Sequence, residues 1–293
     1  MANRYKRLDS NVAGNFYVDR TCINCDACRQ LAPETFEEVG DYSAVVRQPA
    51  GTEQEYRAYQ ALLACPVGSI GTEQGDRDLL QRARAGFPLP LEDGVFYCGF
   101  NSDKSFGANS FFIRHPLGNW LVDSPRYIKH LVDAFDGMGG ISFIFLTHED
   151  DVADAGRYAR RFGAKRIIHR GDAEAVPDAE WIIDGEDTQE LCSGFLVVPV
   201  PGHTAGSQAL LYKERYLFTG DHLWWNPLSE ELESPRELVR DHEDLIRSLE
   251  KLLDHPFSWV LAGHGDRVRL SPDAVRAKLR SLVASRQAPR SRC

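Results

Sequence analysis

Cys22, Cys25 and Cys28 are each separated by two residues in the run CINCDAC, and Cys65 follows well downstream in ACPVGSI. Thiolates at this spacing do metal chemistry. Three can project from one tight loop onto corners of an iron–sulfur cube, and a fourth closes the cage from elsewhere in the chain. Four cysteines also bind zinc, but zinc modules usually use two C-x2-C pairs, not a triplet and a distant partner. A thiol-redox pair leaves two of the four without a role. The spacing points to one cluster held by Cys22, Cys25, Cys28 and Cys65.

A second set of residues stands further on. His148 follows ISFIFLT, His203 follows GFLVVPVPG, Asp221 follows RYLFTG and His264 follows SWVLAG. Each precursor reads as a β-strand, and in helix-covered sheets ligand sites gather where strands end. Imidazole and carboxylate donors suit zinc, iron or manganese. A lone histidine is more often an ordinary core or surface residue, but four polar residues at equivalent strand ends reverse that reading.

The stretch from Tyr17 to Ile70 resembles single-cluster bacterial ferredoxins, on YVDRTCINCDAC, EEVGD and ACPVGSI. Two-cluster ferredoxins carry a further cysteine four residues after the third, and a second triplet. Here those positions are Ala32, Glu55, Ala58 and Ala61. The resemblance implies one [4Fe–4S] cluster of low potential.

From about residue 94 to 270 the chain resembles the metallo-β-lactamase superfamily, on NWLVD, THEDDVADAG, PGHTAGS, FTGD and AGHG. That resemblance implies an αββα sandwich and a metal centre that lowers the pKa of bound water. One motif departs. In T-H-x-H-x-D-H the second histidine is Asp150, the aspartate Val152 and the last histidine Ala153. Flavodiiron proteins, which the domain also resembles, carry an acid at the first of these. The resemblance therefore implies a metal at His148, Asp150, His203 and Asp221, with Asp221 and His264 left at the second position and assigned the catalytic roles. Asp151, Asp154 and His222 stand close enough in sequence to complete a second site if the loop departs from the family geometry. Asp123 matches a structural aspartate that supports the loops.

The fold class expected is α+β, an N-terminal ferredoxin-like domain plus the αββα sandwich. Residues 1–75 form the cluster domain. Residues 76–93 form a linker, helical in GDRDLLQRARAG and then irregular in FPLPLEDG, whose prolines and glycine break regular structure. Residues 94–275 form the metal domain, with strands alternating with helices such as RYIKHLVDAF, VADAGRYARRF, PRELVRDHEDLIRSLEKLLDH and SPDAVRAKLRSLVAS. Residues 276–293 are the helix end and a tail, SRQAPRSRC, expected to be disordered. Cys98 and Cys192 read as inert buried thiols, and Trp224–Trp225 fit a pocket wall or the core equally.

The 293 residues, 43% hydrophobic and 26% charged, are those of an ordinary globular protein. A net charge of -9 argues against nucleic acid and anionic membranes as partners. An N-terminus without an apolar run and an odd count of 7 cysteines point to thiolate ligation in the cytoplasm. The expected partners are a small-molecule substrate and a redox partner protein. Three functions fit: a redox metalloenzyme whose cluster exchanges electrons with one non-haem metal, iron favoured over zinc; a metal-dependent hydrolase of esters or thioesters; or a non-enzymatic electron-transfer or sensing protein.

Overall fold

The protein is described from a computed structural model covering residues 2–287. Its contacts define two compact units, one of residues 1–143 with 153–164, the other of residues 144–152 with 165–293.

In the first unit, Phe16–Val18 pairs antiparallel with Ile70–Thr72, and Phe36–Val39 forms a hairpin with Tyr42–Val45. The short helix Ala27–Leu31 and the longer Thr52–Ala64 pack together beside these strands. The helix Arg77–Ala85 begins where the Asp76 carboxylate accepts the amide of Leu79 at 2.9 Å, an N-cap that satisfies an otherwise orphaned donor. Next come four antiparallel strands, Leu89–Glu92, Val95–Tyr97, Phe111–Ile113 and Trp120–Val122. The first lies inside the segment read as an irregular linker. Asp93 and Gly94, at φ +47° and +82°, turn that strand into the next as a two-residue hairpin. Pro90 is tolerated because the strand lies at the sheet edge, where a missing amide breaks no ladder.

The second unit holds a six-stranded sheet in the order Gln189–Cys192, Phe195–Pro199, Gln208–Tyr212, Tyr216–Gly220, Trp259–Ala262 and Val268–Arg269. Gln208–Tyr212 and Tyr216–Gly220 are buried at every residue, as expected of central strands covered on both faces. One face packs Val198, Leu211, Leu217 and Val260 against Leu249, Leu252, Leu279 and Val283 of the helices His242–Leu252 and Pro272–Gln287. The first of these helices starts at His242, not at Pro235 as its apolar pattern suggests. Asp241 caps it, accepting from the amides of Glu243 and Asp244. Leu238, ahead of it, takes φ +54°. The helix Pro272–Gln287 takes in Ser285–Gln287, which the sequence reading placed in a disordered tail; the rest of that segment lies outside the described residues. No described helix is long and apolar enough to cross a membrane.

Candidate metal centres

In the first unit, Asn24 and Asp26 adopt φ +56° and +63°, folding the CINCDAC loop back on itself just before the helix Ala27–Leu31. Cys22, Cys25 and Cys28 thereby line one pocket. Cys65, the C-cap of Thr52–Ala64, enters from the other side, and Val18, Val67 and Ile70 complete an apolar lining. The sulfurs accept hydrogen bonds: Asn24 N to Cys22 Sγ at 3.4 Å, and Ser69 N to Cys65 Sγ at 3.3 Å. Burial pushes the Cys28 thiol up to about 12 and raises that of Cys25 as well. Thiolates are therefore costly in this pocket unless iron supplies the compensating charge. Four converging sulfurs, amide donors aimed at them and a dry wall fit an iron–sulfur cluster.

The second centre lies within the second unit, at carboxyl ends of strands. His148 follows Phe143–Phe145, His203 sits between Phe195–Pro199 and Gln208–Tyr212, and Asp221 directly follows Tyr216–Gly220. These three bring one donor atom each within 4.8 Å of one another. Asp150 Oδ2 lies 3.6 Å from His148 Nε2 and 3.4 Å from His203 Nε2. Asp221 Oδ2 lies 3.7 and 3.8 Å from the same two nitrogens. A tetrahedral ion with bonds of about 2.0–2.2 Å holds its donors roughly 3.3–3.6 Å apart. The four contacts, at 3.4–3.8 Å, lie near that spacing, with His148, His203 and Asp221 forming the mutually close set and Asp150 beside them.

Two orphaned atoms support the fit. His148 Nε2 and His203 Nε2 are buried without a hydrogen-bond partner. Their other ring nitrogens are engaged. His203 Nδ1 donates to the carbonyl of Leu238 at 2.7 Å, leaving the Nε2 lone pair for a ligand. His148 Nδ1 lies 3.0 Å from Thr147 Oγ1. Orientation of a ligating imidazole through its far nitrogen is a general feature of metal sites. Gly220, at φ +51°, permits the approach of strands here, since a Cβ would meet Thr147 Oγ1 at 2.5 Å.

Electrostatics follow from this crowding. Burial works against the Asp221 carboxylate, but His264, His148 and His203 outweigh it and hold its pKa far below the usual range. Burial lowers the pKa of His148. His203 is raised despite burial, through Asp150 and Asp221, and the nearby His203 in turn lowers Asp150.

His264 takes another place. Its Nδ1 lies 2.8 Å and 2.9 Å from the two oxygens of Asp221, so it braces that carboxylate. Of the residues expected to compensate for Val152 and Ala153, Asp151 lies beside His148. It is buried, with Oδ2 3.9 Å from His148 Nδ1, the ring edge away from Nε2. Asp154 commits its carboxylate to Lys104 Nζ at 2.7 Å and the Tyr127 amide at 2.9 Å. His222 is buried, neither ring nitrogen hydrogen-bonded, and burial pushes its pKa down to about 3. The tryptophan pair divides: Trp224 lies against Gly265, next to His264, whereas Trp225 packs on the helix-covered core.

The sequence reading missed Asp172. This buried carboxylate accepts from Glu149 N at 3.1 Å, Gly206 N at 2.7 Å and Thr204 Oγ1 at 2.5 Å. It clips the loop carrying His148 and Asp150 to the loop carrying His203. Asp172→Ala leaves the buried Gly206 amide unsatisfied, at about 1–3 kcal/mol. Metal affinity is expected to fall about 10–100-fold, as for other outer partners of ligands, measured by chelator competition.

A cysteine-caged cluster module followed by a sheet-end histidine–aspartate metal centre defines a two-centre metalloprotein. The chain belongs to the metallo-beta-lactamase superfamily, whose model matches residues 91–285. Residues 18–72 match the 4Fe-4S single cluster domain of Ferredoxin I. An iron–sulfur cluster and a metal ion are implied by the two domains together. Among curated proteins, a hydroxyacylglutathione hydrolase of Anaeromyxobacter dehalogenans (strain 2CP-C) is 39% identical over 105 residues, 34% of each chain. Another, of Acidiphilium cryptum (strain JF-5), is 27% identical over 119 residues, 39% of this chain and 49% of that protein. The chain thus spans half or less of these relatives. The DIM-1 metallo-beta-lactamase structure aligns over 67% of this chain and 95% of its own, at TM-score 0.50 and 15% identity. A metallo-beta-lactamase family protein from Thermus thermophilus aligns over 68% and 81%, at TM-score 0.50 and 18% identity. These structural likenesses concern the fold, which is mixed α/β with a small N-terminal domain.

Proposed function

We propose that this protein is a redox metalloenzyme, in which the iron–sulfur module exchanges single electrons with one non-haem metal at His148, Asp150, His203 and Asp221. The observation that carries this reading is the donor set. Two imidazoles lie 3.4–3.8 Å from two carboxylates, without a thiolate. Such sets suit iron with open positions for oxygen or substrate, although zinc accepts the same atoms and outranks ferrous iron in affinity. When bound, the metal supplies a Lewis acid and, if iron, a one-electron couple.

The chain's own residues do the rest. His203, fixed by the Leu238 carbonyl, and His148, beside Thr147, present their Nε2 lone pairs. Asp221 is steadied by His264. Asp150, with 62% of its side chain exposed, faces solvent and marks the entry for a small substrate. Trp224 walls the neighbouring loop. Val152 and Ala153 offer no ligands for a second ion, which favours a mononuclear centre.

The hydrolase relatives favour a second reading, metal-assisted hydrolysis of hydroxyacyl thioesters of glutathione, with the cluster module as scaffold or sensor. Metal analysis of anaerobically purified protein, combined with electron paramagnetic resonance and a thioester assay, separates the two. Iron in excess of the cluster and oxidation of the reduced cluster on loading ferric iron into the second centre support the redox reading. A zinc-loaded protein with thioesterase activity that is indifferent to the cluster's redox state overturns it.

A further inference from the structure

The cysteine pocket has neighbours outside the segment that resembles a ferredoxin. Gly107 lies in the connection between Val95–Tyr97 and Phe111–Ile113. At φ +90°, a Cβ on it would stand 2.6 Å from Cys25 Cβ, 2.8 Å from Cys25 Sγ and 3.1 Å from Pro66 Cγ. Its backbone therefore lies flush on the Cys25 corner of the pocket and on the proline that follows Cys65. The connection is locked in place by buried Asn101. That side chain donates to the Gly107 carbonyl at 2.7 Å and accepts from Tyr97 Oη at 2.7 Å. The Asn101 backbone amide donates to the carbonyl of Ala64, the residue before Cys65.

Arg126, in the loop after Trp120–Val122, approaches the chain just ahead of Cys65. Its Nη2 donates to the Leu63 carbonyl at 2.8 Å, two residues before Cys65, and its backbone amide donates to Phe100 O at 2.9 Å. Its Nε is buried with no hydrogen-bond partner. Burial lowers the pKa of the guanidinium, opposed by the negative charge available at Cys65 and Asp103. A cation held beside a thiolate-ligated cluster stabilises the reduced, more negative state, because Coulomb interactions are weakly screened away from water.

We propose that the cluster site extends beyond the cysteine module: Gly107 is its close-fitting cover, and Arg126 is the cation that sets its reduction potential. Both belong to the part of the chain that matches the metallo-beta-lactamase superfamily, so the cluster's environment is completed by the domain it is fused to. The proposal concerns the cluster alone and holds whether the second centre performs redox chemistry or hydrolysis.

The test uses the full chain, purified anaerobically with its cluster. Arg126→Gln retains a donor for the Leu63 carbonyl but removes the charge; Arg126→Lys restores charge. In a potentiometric titration followed by electron paramagnetic resonance, Arg126→Gln is expected to shift to more negative potential at unchanged iron and sulfide content. Arg126→Lys is expected to return toward the parent. Equal potentials for all three overturn the tuning role. Gly107→Ala is expected to lower cluster content and speed bleaching of the cluster in air. Gly40→Ala is the control, since Gly40 has φ +63° but nothing within 4 Å of where a Cβ would stand. It suffers similar backbone strain without touching the cluster. Equal cluster content and bleaching in the two glycine variants overturn the cover role.

Discussion

Replacing His203 by alanine is expected to strip the metal from the second centre while the iron–sulfur absorption stays intact. His203 Nε2 contacts both carboxylates of the cage, 3.4 Å from Asp150 and 3.8 Å from Asp221. Its removal takes one of four donors and leaves two carboxylates facing one imidazole. The loss should exceed the ~10–100-fold cost of removing an outer partner of a ligand. Asp150→Ala should act in the same direction. His264→Ala should act less on metal content, because its Nδ1 serves Asp221 at 2.8 Å. Metal analysis of each purified variant, normalised to the cluster's absorbance, checks the order. Equal metal retention in His203→Ala and the parent would refute the assignment.

Cys65→Ala is expected to abolish the visible absorption of the cluster altogether. Three of the sulfurs come from one loop, but Cys65 stands alone at the end of the helix Thr52–Ala64 and closes the cage. Without it the remaining buried thiols revert toward their neutral forms, since burial has already pushed Cys28 up to about 12. The module then loses the binding free energy that a preassembled metal site contributes to folding. Iron, sulfide and thermal unfolding of the module should fall together. Cys98→Ala, at a fully buried thiol outside the pocket, should leave the absorption unchanged. A Cys65→Ala protein with the parent spectrum would exclude this ligand set.

The sequence alone pointed to the chemistry that depends on residue type and short spacing. CINCDAC with ACPVGSI defines a thiolate cage because only cysteine supplies those sulfurs, and its loop geometry is local. His148, His203 and Asp221 were legible because each ends an apolar strand, and strand ends converge. Most strands and helices could be read from periodicity. The Leu89–Glu92 strand escaped, since its prolines outweighed the Asp93–Gly94 hairpin signal.

Tertiary structure decided how these residues are held. Asp172 joins two ligand loops through contacts 23 to 34 positions away in sequence. The Leu238 carbonyl orients His203 from 35 positions away, and that role takes Leu238 out of the helix its neighbours' pattern suggests. Gly107 packs on Cys25 and Pro66, and Arg126 donates to the Leu63 carbonyl, 63 positions away. An aspartate, a leucine carbonyl, a glycine and an arginine are ordinary residues with no local signature. Their roles come from close approach between distant segments, and that approach is set by the packed core, not by spacing along the chain.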